Sequence, residues 1–273
     1  MGIGIKKALE DNGVKIYLGT GAKAYENMGR KIILDNGDTI DTDLIIMSTG
    51  IVPNVEIAVE AGIKTGVGGG ILVDENYQTN IEDIYAVGDA IVVKNQISKE
   101  DTMIALASPA NRQGRQVADG ISGISRENKG SIGTSIVRVF DTVAGSTGLN
   151  ERYLLDNGYD YEVVHVKPDS HASYYPGSSP VLLKLLFNPL TDEIYGSQAI
   201  GADGIDKRID VLATAIKGGL IVSDLPELEL SYSPPFGAAK DPVNILGYAA
   251  LNIVEGISEN IQWYELDEYI EDG

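Results

Sequence analysis

The chain of 273 residues reads as an α/β region followed by an α+β region. Two observations carry this. In the first part, the short apolar runs 44–47 and 84–87 break off at Ser48-Thr49-Gly50 and Gly88-Asp89, as buried strands of an open sheet end in loops. After Gly130 the apolar runs alternate with turns of the antiparallel type, and two long helical patterns surround them.

Taken in order, residues 3–11 have helical spacing and stop at Asn12-Gly13, a natural C-cap. A strand is expected at 14–18. Residues 31–34 and 39–40 flank Asp35-Asn36-Gly37, a strong hairpin signal. The run 44–47 predicts a buried strand, and 55–61 a short helix. The three glycines at 68–70 lack a following Lys-Ser or Lys-Thr, so they predict a plain connection rather than a phosphate loop. Residues 105–121 are helical by period, with Pro109 tolerable in the first turn. Strands follow at 135–140, 161–166, 181–187 and 194–200, the last two joined by the hairpin Asn188-Pro-Leu-Thr-Asp192. Helices are expected over 204–218 and 243–255.

Composition narrows the partners. The formal charge is -19, and the 21 lysines and arginines are nowhere clustered, which argues against nucleic acid or an anionic membrane surface. No apolar run approaches the ~20 residues that span a bilayer. A soluble, cytoplasmic protein is expected. The chain contains no cysteine. Two histidines, His165 and His171, without helical spacing give no metal site. The opening Gly2-Ile3-Gly4 imitates a dinucleotide fingerprint, but no strand precedes it and Lys7 stands where a third small residue belongs.

The segment from Thr79 to Ala90 carries the chemistry of the first region. Gly88 lets backbone approach a phosphate or sugar, and Asp89 can accept hydrogen bonds from hydroxyls. The full run Thr-Asn-Ile-Glu-Asp-Ile-Tyr-Ala-Val-Gly-Asp-Ala resembles the second flavin-binding stretch of the pyridine nucleotide-disulfide oxidoreductases. The resemblance implies that Asp89 holds a ribityl hydroxyl of FAD. It also implies that the start of the helix after residue 105, at Leu106 and Ala107, points free N–H groups at the flavin pyrimidine ring. There a helix dipole favours the negative charge of the reduced form. The motif Pro109-Ala-Asn-Arg-Gln-Gly-Arg115 resembles coenzyme A-disulfide reductases and assigns Asn111 and Arg112 to the thiol substrate; a solvated helix face carrying Arg112 and Arg115 is the equally weighted alternative.

The second region makes the resemblance more specific. Ser170-His-Ala-Ser-Tyr-Tyr-Pro-Gly177 is similar to the loop by which coenzyme A-disulfide reductases set a tyrosine beside the partner's cysteine, which implies that role for Tyr174, with Tyr175 as fallback. The motif from Tyr232 to Asn244 resembles the family's C-terminal motif, implying a flavin-side role for Tyr232 and a substrate contact for Lys240. The chemistry suits these roles. A phenol of pKa ~10 can donate to a departing thiolate, and an ammonium suits the phosphates of coenzyme A. The alternatives are aromatic interface packing for the tyrosines and an ion pair of Lys240 with Asp241. Neither histidine precedes proline, which disfavours the glutathione-reductase branch; His165 reads as structural, and His171 lies in the tyrosine loop.

The resemblance implies the C-terminal part of a flavoprotein with two dinucleotide-binding domains and an interface domain of antiparallel sheet and helices. Residues 1–129 would be a partial nicotinamide/FAD-binding region, 130–257 the dimerisation domain, and 258–273 an acidic tail or linker. That tail resembles the entry to a fused rhodanese domain, or is a terminal helix packed by Trp263 and Leu266. The implied activity is an FAD- and NAD(P)H-dependent reduction of coenzyme A disulfide or a related persulfide by a homodimer. The redox cysteine of such enzymes lies outside this chain, so the isolated polypeptide is expected to be inactive and not to retain the cofactors. The alternatives are a fragment of an NADH oxidase or peroxidase, or a dimerisation module without activity.

Overall fold

A computed structural model describes residues 1–271; residues 272 and 273, the end of the expected tail, lie outside the described residues. Helix α1 (Gly2–Asp11) ends as expected, with Gly13 at φ +79°. Strands β1 (Ala22–Glu26), β2 (Lys31–Leu34) and β3 (Thr39–Asp41) form an antiparallel sheet. The β2–β3 turn sits on Asp35-Asn36-Gly37, with Gly37 at φ +89°. Helix α2 (Glu56–Glu60), a two-stranded ribbon of β4 (Val93–Lys94) and β5 (Asp101–Thr102), and helix α3 (Ala107–Ile121) complete the first region.

Three expected strands do not form. Residues 14–18, 44–47 and 84–87 take no place in a sheet, apart from one isolated bridge between Tyr85 and Gln78. Ile46 is 82% exposed and Leu18 70%. An apolar run becomes a strand only when neighbours take up its N–H and C=O groups. Among the described residues no strand pairs with 14–18 or 44–47, and 84–87 gains only the bridge carried by Thr79 N donating to Ile84 O (2.8 Å) and Ala86 N donating to Tyr77 O (3.0 Å).

The second region is a five-stranded antiparallel sheet in the order β6-β7-β10-β9-β8. Its strands are β6 (Ser135–Val139), β7 (Thr142–Gly148), β8 (Glu162–Val166), β9 (Val181–Phe187) and β10 (Ile194–Gly201). Strand β7 and the short helix α4 (Glu151–Asp156) are additions to the elements read from the sequence. On one sheet face, α5 (Ile205–Gly218) and α6 (Pro242–Val254) bury Val181, Leu183, Leu185 and Phe187 against Ile205, Ile209, Leu212, Val243 and Leu246. On the other, α4 places Leu154 against Val163, Leu186 and Tyr195. Strand β9, between β10 and β8, is therefore buried on both faces.

Helix α7 (Leu266–Glu271) ends the described chain. It is not packed by Trp263, which is 76% exposed. The approach to it is anchored instead by the Gln262 side-chain amide donating to Val163 O (2.9 Å) and the Tyr264 hydroxyl donating to Glu151 (2.6 Å). No helix among the described residues is long and apolar enough to cross a membrane.

Candidate functional site

Gly88 stands at φ +87°, a left-handed conformation in which a side chain would be strained. Its N–H donates to Gln113 Oε1 at 2.6 Å. Gln113 is buried in α3, so a polar strap fixes the Gly88-Asp89 turn against that helix. One turn farther along α3, Gln116 accepts a hydrogen bond from the buried Tyr77 hydroxyl (2.7 Å). Burial pushes the Tyr77 phenol up from its ordinary value, while the charge of Arg112 opposes the shift. Sequence reasoning missed Gln113. The signal was available: Pro109, Gln113 and Val117 form one inward stripe at helical spacing, and a polar residue in such a stripe needs a buried partner.

Helix α3 starts at Ala107 with Leu106 as its N-cap, without a side-chain cap and without an acidic residue in the first turn. Its first N–H groups and positive dipole end are thus left for an electron-rich group. Asp89 is exposed beside the Gly88 turn. These features fit a flavin: a close backbone approach, a carboxylate for hydroxyls, and an uncapped helix start.

The substrate positions on α3 turn out differently from a pair of free polar groups. Asn111 folds back to donate to Ala107 O (2.8 Å), and Arg112 donates to Gly130 O (3.0 Å). The solvated-face alternative agrees with the exposure of both arginines: Arg112 is exposed, and Arg115, its side chain 77% exposed, pairs with Asp119, which also takes Arg126. Arg112 lines a cavity of 820 Å³ between α3, β6 and α5, with Ser108, Lys217 and Asp210 on its walls.

The tyrosine loops lie at the N-terminal end of α5, beside Lys207 and Arg208. The loop from Ser170 to Ser179 closes on itself through Ser170 N donating to Ser179 O (2.8 Å) and Ser179 N donating to Ser170 Oγ (3.3 Å). His171 is buried in it as a brace, with Nδ1 3.2 Å from Ser170 Oγ and Nε2 3.3 Å from Pro176 O. His165 on β8 is held below its ordinary value, first by desolvation and then by the charge of Lys184. Within the Tyr232 loop, Phe236 N donates to Ser233 O (2.8 Å). Backbone joins the two loops directly, Ala172 N donating to Gly237 O at 2.9 Å.

The structure brings Tyr174 and Tyr232 together at an exposed surface. The Tyr232 hydroxyl beside it pushes the Tyr174 phenol up from its ordinary value, and partial desolvation acts in the same direction. Tyr174 therefore stays protonated at neutral pH, the form that donates. Lys240 makes no ion pair with Asp241; its ammonium lies 5.3 Å from the centroid of the Tyr248 ring. Asp241 instead faces inward to Arg208. Among the described residues no hydrogen bond links the tyrosine pair to Gly88, Asp89, Leu106 or Ala107, and no group of three or more His, Asp or Glu side chains is arranged to hold a metal.

Residues 3–114 match the pyridine nucleotide-disulphide oxidoreductase family, and residues 134–241 match the dimerisation domain of the same family. The chain belongs to the pyridine nucleotide-disulphide oxidoreductases. Within that family it is 38% identical over 216 residues to the NAD(P)H sulfur oxidoreductase (CoA-dependent) of Pyrococcus furiosus, covering 79% of this chain and 48% of that protein. It is 36% identical over 223 residues to the coenzyme A disulfide reductase of Staphylococcus epidermidis, covering 81% and 50%. Among solved structures, reduced CoADR-RHD of Bacillus anthracis superposes with a TM-score of 0.97 at 48% identity, over 98% of this chain and 48% of that one. The NAD-dependent persulfide reductase of A. fulgidus gives 0.93 at 34%, over 97% and 50%. The chain thus spans about half the length of the relatives it matches.

Proposed function

We propose that this chain is part of a cytoplasmic, homodimeric FAD- and NAD(P)H-dependent reductase of coenzyme A disulfide or a related persulfide. The observation that carries the reading is the meeting of Tyr174 and Tyr232 at an exposed surface on two mutually bonded loops. Bound FAD would supply the electron pair that reduces a cysteine, which this cysteine-free chain does not contain.

The chain's own residues then bind and move protons. Gly88, Asp89 and the N–H groups at Leu106 and Ala107 orient the flavin and favour negative charge at its pyrimidine edge. When a thiolate leaves a mixed disulfide, the protonated phenol of Tyr174 donates a hydrogen bond or a proton to it, and a phenolate so formed recovers its proton from solvent. Tyr232 holds Tyr174 by the phenol–phenol contact and faces the flavin side. Lys240 meets the phosphates of coenzyme A, with Asn111 and Arg112 on the substrate path. For the 273-residue polypeptide alone, a second reading is favoured by edge strand β6, where Ile136 and Val137 lie exposed: a dimerisation module.

The test uses an enzyme that carries this segment. Replacing Tyr174 and Tyr232 by phenylalanine keeps both rings and removes both hydroxyls. Flavin reduction by NAD(P)H should survive, while turnover of coenzyme A disulfide falls by roughly 10²-fold. Lys240→Ala should mainly raise KM, because a phosphate contact serves ground and transition states alike. Normal turnover by the double variant would make the tyrosines packing residues and remove the reading's main support.

A further inference from the structure

Arg208 is a charged residue in the wrong place for a surface helix. In α5 it occupies the same stripe as Ile205, Ile209 and Leu212, and only 1% of its surface is exposed. All three guanidinium nitrogens are engaged. Nε donates to Asp241 Oδ1 (3.2 Å), Nη2 to Asp241 Oδ2 (2.9 Å) and to Ser170 O (2.7 Å), and Nη1 to Gly204 O (3.1 Å). This is a two-pronged Arg–carboxylate pair with two of its remaining three donors spent on backbone.

The destinations of those bonds matter more than their number. Ser170 is the hinge residue of the loop that carries Tyr174, closed against Ser179. Asp241 ends the loop that carries Tyr232 and caps α6, accepting from Val243 N (3.1 Å). The preceding residue of α5 reinforces the same junction: Lys207 Nζ donates to Ser231 O (3.4 Å), Phe236 O (3.4 Å) and Asp241 Oδ2 (3.3 Å). Ser231 immediately precedes Tyr232. One helical turn therefore grips the root of each tyrosine loop, and the Ala172–Gly237 bond closes the circuit between them. The site leaves no room for variation at Gly204, which sits at φ +69° and whose Cβ would collide with the Arg208 guanidinium.

We propose that Arg208, with Lys207 and Asp241, is a positioning cluster that sets the separation of the Tyr174 and Tyr232 hydroxyls, and that Arg208 acts on thiol reduction only through those two phenols. The second half of this inference rests on the proposed function; the first half does not. Arg208 touches neither substrate nor flavin. A lysine at 208 would keep the charge but lose the planar fork, so it cannot hold Asp241 and Ser170 O together.

Two experiments separate the halves. In the 273-residue chain, ring-labelled tyrosine followed by NMR reports the titration of each phenol, with Tyr174→Phe and Tyr232→Phe assigning the signals. Tyr174 should titrate higher in the unaltered chain than in the Tyr232→Phe chain. In R208K and in Lys207→Met it should drop toward the Tyr232→Phe value. Lys207 is one-third exposed, so its substitution tests the point even if R208K fails to fold. Unchanged Tyr174 titration in a folded variant of either kind would overturn the positioning claim.

In an enzyme carrying the segment, R208K should lower kcat for coenzyme A disulfide by about 10- to 100-fold, the scale of misplacing a reacting group. KM and flavin reduction should stay within about twofold. Added to the Tyr174→Phe, Tyr232→Phe background, R208K should have no further effect, as expected for residues acting as one unit. An equal fall in both backgrounds would overturn action through the phenols. Normal turnover by the tyrosine variant itself would defeat the functional reading, leaving the NMR result to decide the positioning.

Discussion

Replacing Asp241 with alanine asks the structure for its largest single electrostatic loss. The carboxylate side chain is 4% exposed and faces Arg208, whose side chain is 2% exposed, so water cannot compensate either charge. Removing one partner of a buried pair leaves an uncompensated charge and costs about 3–5 kcal/mol. The same carboxylate caps α6, and losing a cap costs ~1 kcal/mol by itself. These terms share one side chain and do not simply add, so the expected loss is about 4 kcal/mol. That is a large share of the roughly 5–15 kcal/mol that holds a domain together. Asp241→Asn keeps an acceptor at the cap but still strands the Arg208 charge, so it should lose about 3 kcal/mol, the low end of the same range. Combining Arg208→Met with Asp241→Ala removes the stranded charge, so the double variant should be more stable than Asp241→Ala alone. Urea unfolding followed by circular dichroism, with unchanged m values, reads all three. A loss below about 1 kcal/mol for Asp241→Ala would refute the reasoning, because the pair would then have to be solvated rather than buried.

Three further outcomes are expected. Burial pushes the Glu151 carboxyl up, but hydrogen bonds from Lys184 and Tyr264 and the charge of Lys184 outweigh it, so it lies below the ordinary carboxylate value. Its stabilisation is present above the unfolded value of about 4.3 and disappears as pH falls through the lower folded value; Glu151→Gln should flatten the acid limb of a stability-against-pH curve, and an unaltered limb would count against it. Light scattering at micromolar concentration should give a dimer built on residues from about 131 onward, whereas a monomer would count against β6 as part of an interface. The purified 273-residue chain should carry no stoichiometric flavin, since Asp89 and α3 are present without any Gly-x-Gly-x-x-Gly cradle; a flavin absorbance in the visible spectrum would show that the helix start and Asp89 suffice.

Features decided by a few adjacent residues were legible in the sequence. The β2–β3 turn, the stop of α1 at Asn12-Gly13 and the β9–β10 turn each depend on local chemistry. In the last, Asn188 Oδ1 accepts from Leu190 N (2.8 Å) and Thr191 N (3.1 Å), and Asp192 sits at φ +61°. Strands that depend on distant partners were read less well, in both directions. Residues 44–47 have the composition of a strand and no partner among the described residues. Strand β7 has the partners and the wrong composition. Its inward positions are Val143, Gly145 and Thr147, and a Cβ on Gly145 would lie 2.9 Å from Ile209 Cγ1. The close approach of α5 requires the glycine that hid the strand. Helix α4, six residues capped by Asn150, is too short for its period to register.

The same division runs through the candidate site. Tyr174 and Tyr232 stand in motifs that could be matched, and the structure brings them together. The residues that hold them there are Arg208, Lys207 and Asp241, which in sequence look like the solvated charges of an acidic protein. Spacing distinguishes Arg208 from that background: it falls three residues after Ile205, one before Ile209 and four before Leu212, inside the apolar stripe of its helix. A charge in such a stripe must find a buried partner, and Asp241, followed by Pro242 at the first position of α6, is already fixed in space by its capping role. The cap therefore does double duty. Because one carboxylate both starts α6 and neutralises Arg208, the placement of the tyrosine loops is tied to the packing of α5 and α6 on the sheet. Phenol geometry should accordingly be lost only together with that packing or with the pair itself.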